Sequence, residues 1–419
     1  MNRFLHGHAT HPDWRAALAL AAKQIDAQRQ APGHAAAPTL GWVYLTERFA
    51  AHAAALLTEL ARRWSGVEWV GATGVGIAAS GVEYFDEPAL SLMLTDLPAD
   101  RFRVFSGARL LGPFAAHTAQ VHADPGTADL AELIHDMSER TATGYLFGGL
   151  ASGQSSWHHI AGSVLSGGLS GVAFDARVAL VSRVTQGCQP VGPWRRISAA
   201  EGNLVMALDG EPALDCLLRD LQLEGVEPRA AVPSLQQTLV GLNDPAEAVD
   251  ANADHAGAST RGAFDQVARA GAFGTDTRVR HLIGLDPGRR GIAIADTAAV
   301  GTQLAFCHRD AIAARRDLMR ICAEVREEVE PESLSLPAAR ALLSAGAGES
   351  APEAASGVAG AIYVSCAGRG GAHFGAPSAE LAIVRHALGD VPLVGFFAAG
   401  EIARRQLYGY TGVLTVFRR

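Results

Sequence analysis

The chain has 419 residues, of which 48% are hydrophobic and 19% are charged, and it contains 46 glycines. This composition describes a protein that buries the cores of two ordinary domains, or three small ones, rather than a disordered chain. The net charge of −8 argues against nucleic-acid binding, which normally requires a basic stripe. Lys23 is the only lysine, which disfavours a P-loop, a kinase site and a pyridoxal-phosphate Schiff base.

The cysteines indicate neither a disulfide framework nor a metal site. They form an odd set without CxxC spacing, at Cys188, Cys216, Cys307, Cys322 and Cys366. No stretch approaches the roughly 18 apolar residues of a membrane span, and the first residues lack the pattern of a secretory leader. We therefore expect a reduced cytoplasmic protein with no metal, no cofactor and no membrane or nucleic-acid partner.

The first half of the chain mixes helix and strand patterns. Residues 1–12 look like a loose tail, and an Ala-rich helix is predicted over 14–30. Strand-like and helix-like segments follow without strict alternation, at 41–46, 47–64, 67–72, 88–97, 101–106, 127–140, 145–149, 167–174 and 177–182. This order favours an α+β fold with mixed sheets over a doubly wound parallel sheet.

A second unit is predicted to begin just before Asp209, where a strand, a DGEP turn and a helix follow one another. The segment 224–276 has weak periodicity and predicts a flexible insert or irregular loop, and an Ala/Gly/Ser/Pro-rich segment predicts a spacer over 333–358. Regular patterns lie between and after these two segments: a hairpin at 279–296, a strand at 302–307, a long helix at 308–330, a strand at 360–366, a helix at 378–389, and strands at 391–398 and 412–417.

Glycine turns follow several of the apolar strands. VGATGVGI (70–77) and VGFFAAGEI (394–402) resemble one another, which indicates an internal repeat, with chance similarity in an Ala/Gly-rich chain as the alternative. Further glycine turns lie at 145–156 and 363–371. Glycine permits positive φ and lets backbone N–H groups approach a ligand closely, so these turns are candidate binding elements.

One of these turns carries two reactive side chains. Cys366 and Arg369 share a tight loop, where the guanidinium could bind a carboxylate and lower the pKa of the thiol. The alternative is a small cysteine that ends a strand and an arginine paired with a neighbouring acid.

The carboxy-terminal motifs resemble those of the FIST family, named for F-box and intracellular signal transduction proteins. YVSCAGRG (363–370), an acid-containing helix from Ser378 and PLVGFFAAGEI (392–402) carry the resemblance. It extends over about residues 40–418 through GGLASG (148–153), QGCQPVGP (186–193), EGNLVMALDGEPAL (201–214) and VRHLIGLDPGRRGIAIAD (279–296). It implies a tail and helix at 1–39, a FIST-N-like domain at 40–200 and a FIST-C-like domain at 201–419. We expect these two related α+β domains to pack together with a ligand cleft between them.

The resemblance implies a sensory protein that binds a small molecule, such as an amino acid, and signals to an unidentified downstream protein. No catalytic mechanism comes with the family. The amino-terminal half of the family commonly carries a GCST-x-GEI-like turn, but here Gly71 to Ile77 lack both the cysteine and the acid. The carboxy-terminal turn keeps Gly400, Glu401 and Ile402.

We therefore place the ligand near the carboxy-terminal turns. Arg369 is expected to bind the α-carboxylate of an amino acid, Glu401 its ammonium group, and the turn amides the remaining polar atoms. The predicted ligand-binding residues are Gly148, Gly149, Ser152, Gly153, Cys366, Gly368, Arg369, Gly370, Gly395, Gly400 and Glu401.

Two other functions stay open at this point. The first is an enzyme that uses Cys366 as its nucleophile, with His373 or His308 as the base. The second is a protein-interaction adaptor, because other family members are joined to F-box modules that recruit partners.

Overall fold

The computed structural model describes residues 1–154, 156–243, 277–330 and 357–419. The chain divides into two compact units, each built from segments that are distant in sequence. Unit 1 contains Met1–Thr185, Arg315–Leu407 and Thr411–Arg419, and unit 2 contains Gln186–Ala314 and Tyr408–Tyr410. The described residues form helices and mixed sheets, as the α+β prediction expects. The cleft between the domains stays a prediction.

Seven α-helices lie within these described ranges. They are α1 (Trp14–Gln28), α2 (Ala53–Arg63), α3 (Leu130–Glu139), α4 (Ala213–Asp220), α5 (Pro228–Gln237), α6 (Ala311–Val329) and α7 (Ala379–Leu388). Two 3-10 helices span Glu47–His52 and Ala367–Arg369. None of the described helices is long and apolar enough to cross a membrane.

Three chain segments supply the strands. Before residue 187 they are β1 (Leu5–Thr10), β2 (Leu40–Thr46), β3 (Glu68–Gly74), β4 (Gly76–Ala79), β5 (Val82–Phe85), β6 (Ala89–Thr95), β7 (Phe102–Phe105), β8 (Thr118–Ala123), β9 (Leu146–Leu150), β10 (His159–Ala161), β11 (Val164–Leu165), β12 (Leu169–Phe174) and β13 (Leu180–Gln186). The central segment contains β14 (Cys188–Pro190), β15 (Arg195–Glu201), β16 (Leu204–Leu208), β17 (Glu211–Pro212), β18 (Leu239–Asn243), β19 (Arg278–Asp286), β20 (Gly291–Ile294) and β21 (Gln303–Arg309). The last segment contains β22 (Val358–Cys366), β23 (Leu393–Ala398), β24 (Glu401–Arg404), β25 (Gln406–Tyr408) and β26 (Thr411–Arg418).

Unit 1 contains three copies of one strand pattern. In each copy, two parallel strands are joined by a helical connection, and a third strand pairs antiparallel with the first. Repeat 1 uses β2, β3 and β6, repeat 2 uses β8, β9 and β12, and repeat 3 uses β22, β23 and β26. The helical connections contain α2, α3 and α7, respectively. The similarity between 70–77 and 394–402 therefore reflects a real internal repeat, and residues 146–154 belong to repeat 2.

Each repeat also gives a short hairpin to the sheet of another repeat. Hairpin β10–β11 extends the sheet of repeat 1, β24–β25 that of repeat 2, and β4–β5 that of repeat 3. The resulting sheets have the orders β1-β6-β2-β3-β10-β11, β7-β12-β8-β9-β24-β25 and β13-β26-β22-β23-β4-β5. The exchange is cyclic, so each sheet is completed only when the other repeats are folded.

The core of unit 1 lies on both sides of these sheets. Helices α1 and α2 bury an apolar face against repeat 1, because small and branched residues recur at helical spacing in α1 at Ala17, Leu18, Ala21, Ala22 and Ile25. Between the repeats, Trp42 Nε1 donates to Gln120 Oε1 over 2.6 Å, and Gln120 Nε2 donates to the Tyr44 hydroxyl over 2.8 Å. These hydrogen bonds satisfy polar groups in a buried setting where an unpaired group is costly.

A glycine at the middle of the second strand of each repeat allows the parallel strands to approach. A Cβ atom added at Gly71, Gly148 or Gly395 would lie 1.8, 1.8 or 1.7 Å from a backbone carbonyl oxygen of the neighbouring strand. These oxygens belong to Val43, Val121 and Tyr363. A side-chain movement cannot relieve the clash at any of these positions, because the obstructing atom is a backbone carbonyl oxygen.

Replacing Gly148 with alanine is expected to lower the free energy of unfolding by at least about 3 kcal/mol. The substitution combines a backbone clash with a φ of 143°, which non-glycine residues rarely adopt. Urea unfolding of the purified variant measures the loss. Gly107→Ala is the control, because a Cβ there meets no atom within 4 Å. A loss below 1 kcal/mol for Gly148→Ala would contradict the strand packing described here.

Unit 2 is a closed antiparallel barrel. Its six strands follow the order β15, β16, β20, β19, β18 and β21, and β21 pairs again with β15. Val205, Leu208, Val240, Ile292 and Phe306 are buried in its core, against which α4 also packs.

The structure corrects two predictions of irregular chain. Residues 224–243 contain α5 and β18, because β18 pairs with both β19 and β21 and closes the barrel. Residues 5–10, expected as part of a loose tail, form β1, which pairs with β6 along its whole length. Backbone pairing with distant strands stabilises both segments, and sequence periodicity does not report it. The rest of the predicted insert, and the predicted spacer up to residue 356, lie outside the described residues.

Candidate functional site

In each repeat, the exchanged hairpin departs from the sheet at a junction formed by two residues. The junction residues occupy equivalent positions in all three repeats. The first position is at the end of the repeat's first strand, and the second is the first paired residue of the exchanged hairpin. By strand register these junction pairs are Thr46 and Ile77 in repeat 1, Asp124 and His159 in repeat 2, and Cys366 and Glu401 in repeat 3. The same junction therefore carries a hydroxyl and an apolar side chain in repeat 1, an acid and an imidazole in repeat 2, and a thiol and an acid in repeat 3.

The glycine turns of the three repeats meet at one place in unit 1. Ser152 Oγ donates to the Phe397 carbonyl over 2.5 Å and accepts from the Val75 amide over 2.9 Å. The Leu150 amide donates to the Gly400 carbonyl over 2.8 Å. The turns that the sequence proposes as binding elements are thus bonded to one another.

The predicted glycines serve close packing around this meeting point. Gly149 pairs with Glu401, and a Cβ on Gly149 would lie 2.9 Å from the Gly400 carbonyl oxygen. A Cβ on Gly370 would lie 1.9 Å from the ring of Phe85. The other predicted turn residues are Gly153, whose added Cβ would lie 2.4 Å from the Ser156 carbonyl oxygen, and Gly368, which lies in the 3-10 helix after β22.

Glu401 is fully buried and only half of its carboxylate is satisfied. Its Oε2 accepts from the Thr411 hydroxyl over 2.7 Å and from the Thr411 amide over 3.1 Å. Its Oε1 has no hydrogen-bond partner among the described residues. Burial raises the pKa of Glu401 to about 8, against the opposing effects of Thr411, Arg369 and Cys366.

Cys366 lies beside this carboxyl at the end of β22. Its thiol lowers the pKa of Glu401 through hydrogen bonding, which places the two junction side chains of repeat 3 in contact. It is partly exposed, whereas the other cysteines, Cys188, Cys216, Cys307 and Cys322, are buried. Cys366 is therefore the most exposed of the five cysteines.

Arg369 and Glu380 form a buried ion pair next to the junction. Each side chain is 1% exposed, and Arg369 Nη2 and Nε lie 2.7 and 2.9 Å from Glu380 Oε1. The Tyr363 hydroxyl donates to the same oxygen over 2.7 Å, and Ser365 Oγ donates to Oε2 over 3.0 Å. The guanidinium also lies over the ring of Phe374, with its carbon 5.1 Å from the ring centroid.

Repeat 1 shows that the fold does not need these polar groups. At the positions equivalent to Tyr363, Ser365 and Arg369, repeat 1 buries Val43, Leu45 and Phe49 in a purely apolar cluster. A buried ion pair is often no more stable than apolar residues of similar size, because both charges lose their hydration. The strand pattern that the repeats share therefore does not require the polar set of repeat 3.

The junction pair of repeat 2 is internally satisfied. Asp124 accepts from Trp157 Nε1 over 2.8 Å and from the Gly167 amide over 2.6 Å. The His159 ring nitrogens lie 2.5 Å from Ser170 Oγ and 3.0 Å from the Gly167 carbonyl oxygen. These contacts tie the 157–170 segment to the sheet of repeat 2. The unpartnered atom that distinguishes Glu401 has no counterpart in this pair.

The bases considered for a cysteine enzyme lie in different surroundings. His308 is in β21 of unit 2, where Nε2 lies 3.3 Å from Thr238 Oγ1. His373 packs edge-on against Phe374, with ring centroids 5.5 Å apart. Among the described residues, no group of three or more His, Cys, Asp and Glu side chains is placed to hold a metal ion.

Sequence reasoning missed Glu380, Tyr363, Ser365 and Thr411. A signal for Glu380 existed, since it occupies the same helical face as the buried Val384 and Leu388 of α7. An acid on such an apolar stripe indicates a buried partner. Nothing comparable marked Thr411, whose contact with Glu401 depends on how β24 and β26 are placed.

Comparison with known proteins identifies the family. A sequence model of the FIST N domain matches residues 39–211, and one of the FIST C domain matches residues 213–404. An uncharacterized protein of Mycobacterium bovis is 30% identical over 430 aligned residues, covering 98% of this chain and 97% of that protein. An uncharacterized protein of Mycobacterium tuberculosis is 28% identical, covering 98% of both chains. The chain therefore belongs to the FIST family, whose domains are generally sensory, ligand-binding modules of signal transduction.

Proposed function

We propose that this protein is a cytoplasmic sensor for a small molecule that carries a primary amine, such as an amino acid or a similar zwitterion. The observation that carries the proposal is Glu401 Oε1, a fully buried atom without a hydrogen-bond partner among the described residues. Leaving such an atom unsatisfied costs about 1–3 kcal/mol, more if it is charged. A ligand ammonium group would remove this cost.

In this proposal the two residues that contact Glu401 have distinct roles. Thr411 holds Oε2 with two hydrogen bonds, so that Oε1 remains the acceptor for the ligand. Cys366 is partly exposed and forms the reagent-accessible side of the site. Gly368, Gly370 and Gly400 lie in the adjacent turns, whose backbone amides would contact the polar atoms of the ligand.

Arg369 has a modified role in this proposal. Two of its nitrogens bind Glu380, so its main function is to position the turn after β22. Its positive charge still favours the ionised form of Glu401 and would attract a ligand carboxylate. A carboxylate in addition to the amine would make the ligand a small zwitterion.

Amine binding is expected to become tighter as the pH rises towards 8. An ammonium group prefers the carboxylate form of Glu401, whose pKa burial raises to about 8, so binding below that pH must release a proton. The affinity should increase by up to about tenfold per pH unit between pH 6 and 8. Calorimetric titration with the twenty amino acids, in buffers of different ionisation enthalpy, measures both the affinity and the released proton.

The controls for this titration separate amine recognition from general binding. N-acetylated amino acids lack the ammonium group and should not bind. Glu401→Gln should abolish binding of the free amino acid, and Arg369→Met should weaken it. Equal binding of the acetylated compounds, or unchanged binding by Glu401→Gln, would refute the role of Glu401.

We further propose that the bound state is passed to a downstream signalling protein in the cytoplasm. The five cysteines form an odd set without disulfide-type spacing, which fits a reducing compartment. A pull-down that returns one stoichiometric partner, while no amine shifts the melting temperature, would favour the adaptor function instead.

A further inference from the structure

The junction of repeat 3 places a nucleophile next to a proton carrier. Cys366 is the partly exposed cysteine, and its thiol contacts the carboxyl of Glu401. Burial raises the pKa of Glu401 to about 8. This carboxyl can therefore accept and return a proton near neutral pH, which suits an exchange reaction at the neighbouring sulfur.

The same carboxyl offers a binding point for the reagent. Thr411 occupies Oε2, and Oε1 is fully buried without a partner among the described residues. Repeat 2 keeps an acid and a base in the same arrangement but satisfies them internally, and repeat 1 has Thr46 and Ile77. Among the three junctions, that of repeat 3 therefore combines a partly exposed cysteine with a carboxylate oxygen that has no partner among the described residues.

We infer that Cys366 is a site of reversible modification by small aminothiol disulfides, the class of cystamine and cystine, whose ammonium group binds Glu401. The inference rests on the proposed amine recognition and adds the sulfur of the ligand. In such compounds the amine lies two carbons from the sulfur. That short spacing suits a thiol and a carboxyl in direct contact.

The exchange needs no reactant other than the disulfide. Cys366 passes its proton to the Glu401 carboxylate, and Sγ attacks one sulfur of the reagent while the reagent's S–S bond breaks. The leaving thiolate takes the proton from Glu401 and departs as a free aminothiol. Cys366 is oxidised to a mixed disulfide and the departing half is reduced, so atoms and electrons balance. A free thiol reverses the reaction.

The test compares two disulfides of equal length on the reduced full-length protein. Cystamine carries two ammonium groups, and bis(2-hydroxyethyl) disulfide carries hydroxyls in their place. Intact-mass kinetics should show one mixed disulfide, mapped to Cys366, forming at least tenfold faster with cystamine. Cys322 serves as an internal reference that should stay unmodified, because it is buried and burial raises its pKa to about 12.

Variants separate recognition from simple thiol reactivity. Glu401→Gln should bring the ratio of the two rates close to the ratio that a small free thiol shows with the same two disulfides in solution. Thr411→Val, which removes the hydroxyl donor to Oε2 and keeps the amide donor, should reduce the ratio. Cys366→Ser should abolish the modification. Equal rates for the two disulfides in the wild-type protein, or no modification of Cys366 before unfolding, would overturn the inference.

Failure of this inference can be told apart from failure of the proposed function. Calorimetry of Cys366→Ser with the amino acid panel reports amine binding without the thiol. Amine binding by this variant, together with equal disulfide rates in the wild type, would refute the covalent step alone. Loss of the cystamine preference together with absence of amine binding in both proteins would refute both proposals.

Discussion

Replacing Glu380 with alanine is expected to lower the free energy of unfolding by about 3–5 kcal/mol. The substitution leaves the guanidinium of Arg369 buried without its carboxylate, which is the costly way to break a buried ion pair. The hydroxyls of Tyr363 and Ser365 lose their acceptor at the same time. The effect should exceed that of most single substitutions in proteins of this kind.

Urea unfolding of the full chain at pH 7 measures this loss, with two further variants as controls. Glu59→Ala removes a carboxylate that lies at the surface of α2, the equivalent helix of repeat 1, and should leave stability almost unchanged because solvent screens its pairing with Arg62. The double variant Arg369→Met with Glu380→Leu should recover most of the loss, because repeat 1 folds with apolar residues in this layer. A loss below 1 kcal/mol for Glu380→Ala would show that water reaches the pair.

The free energy of unfolding of the wild-type protein is expected to fall as the pH rises, because Glu401 ionises. Replacing Glu401 with glutamine is expected to abolish this fall. The native state keeps the Glu401 proton up to a pKa of about 8, whereas the unfolded state releases it near the ordinary value of 4.5. The unfolded state therefore binds fewer protons in this window, and stability falls as the pH increases. The slope for one proton is about 1.4 kcal/mol per pH unit.

The measurement compares unfolding free energies of the wild type and Glu401→Gln at pH 5, 6, 7 and 8. The difference between the two proteins should grow in favour of the variant with each pH step, because glutamine cannot ionise. Comparing the two proteins at each pH cancels the titration of all other groups. Glu68→Gln is a matched control for the loss of one carboxylate, since Glu68 pairs with Arg109 near the surface and lies outside the site. A constant difference for Glu401→Gln would contradict the raised pKa.

Much of the local structure and part of the site could be predicted from residue types and their order. The Ala-rich helix near the amino terminus follows from its apolar spacing, and the similarity of 70–77 to 394–402 indicated a repeat that the strand pairing confirms. Cys366 and Arg369 are predictable as site residues because they share one tight glycine turn, and Glu401 because the family resemblance includes an acid in the carboxy-terminal turn. The family match at 39–211 and 213–404 confirms the resemblance carried by these motifs.

The remaining features depend on contacts between segments far apart in the chain. The exchange of hairpins among three repeats has no local sequence pattern, since β4, β10 and β24 are short strands whose partners are set by backbone register. Strand β18 was hidden for the same reason, because its neighbours in the barrel come from later in the chain.

The sequence by itself determined the family, the mixed helix and sheet composition, and the kinds of side chain available for binding. These properties follow from residue types and short-range spacing, which a linear chain contains completely. Only the tertiary structure decided which partners those side chains take: Arg369 binds Glu380, and Glu401 binds Thr411 through one oxygen while the other has no partner among the described residues. A hydrogen bond or ion pair depends on distances of about 3 Å between atoms, and those distances are set by sheet register and burial.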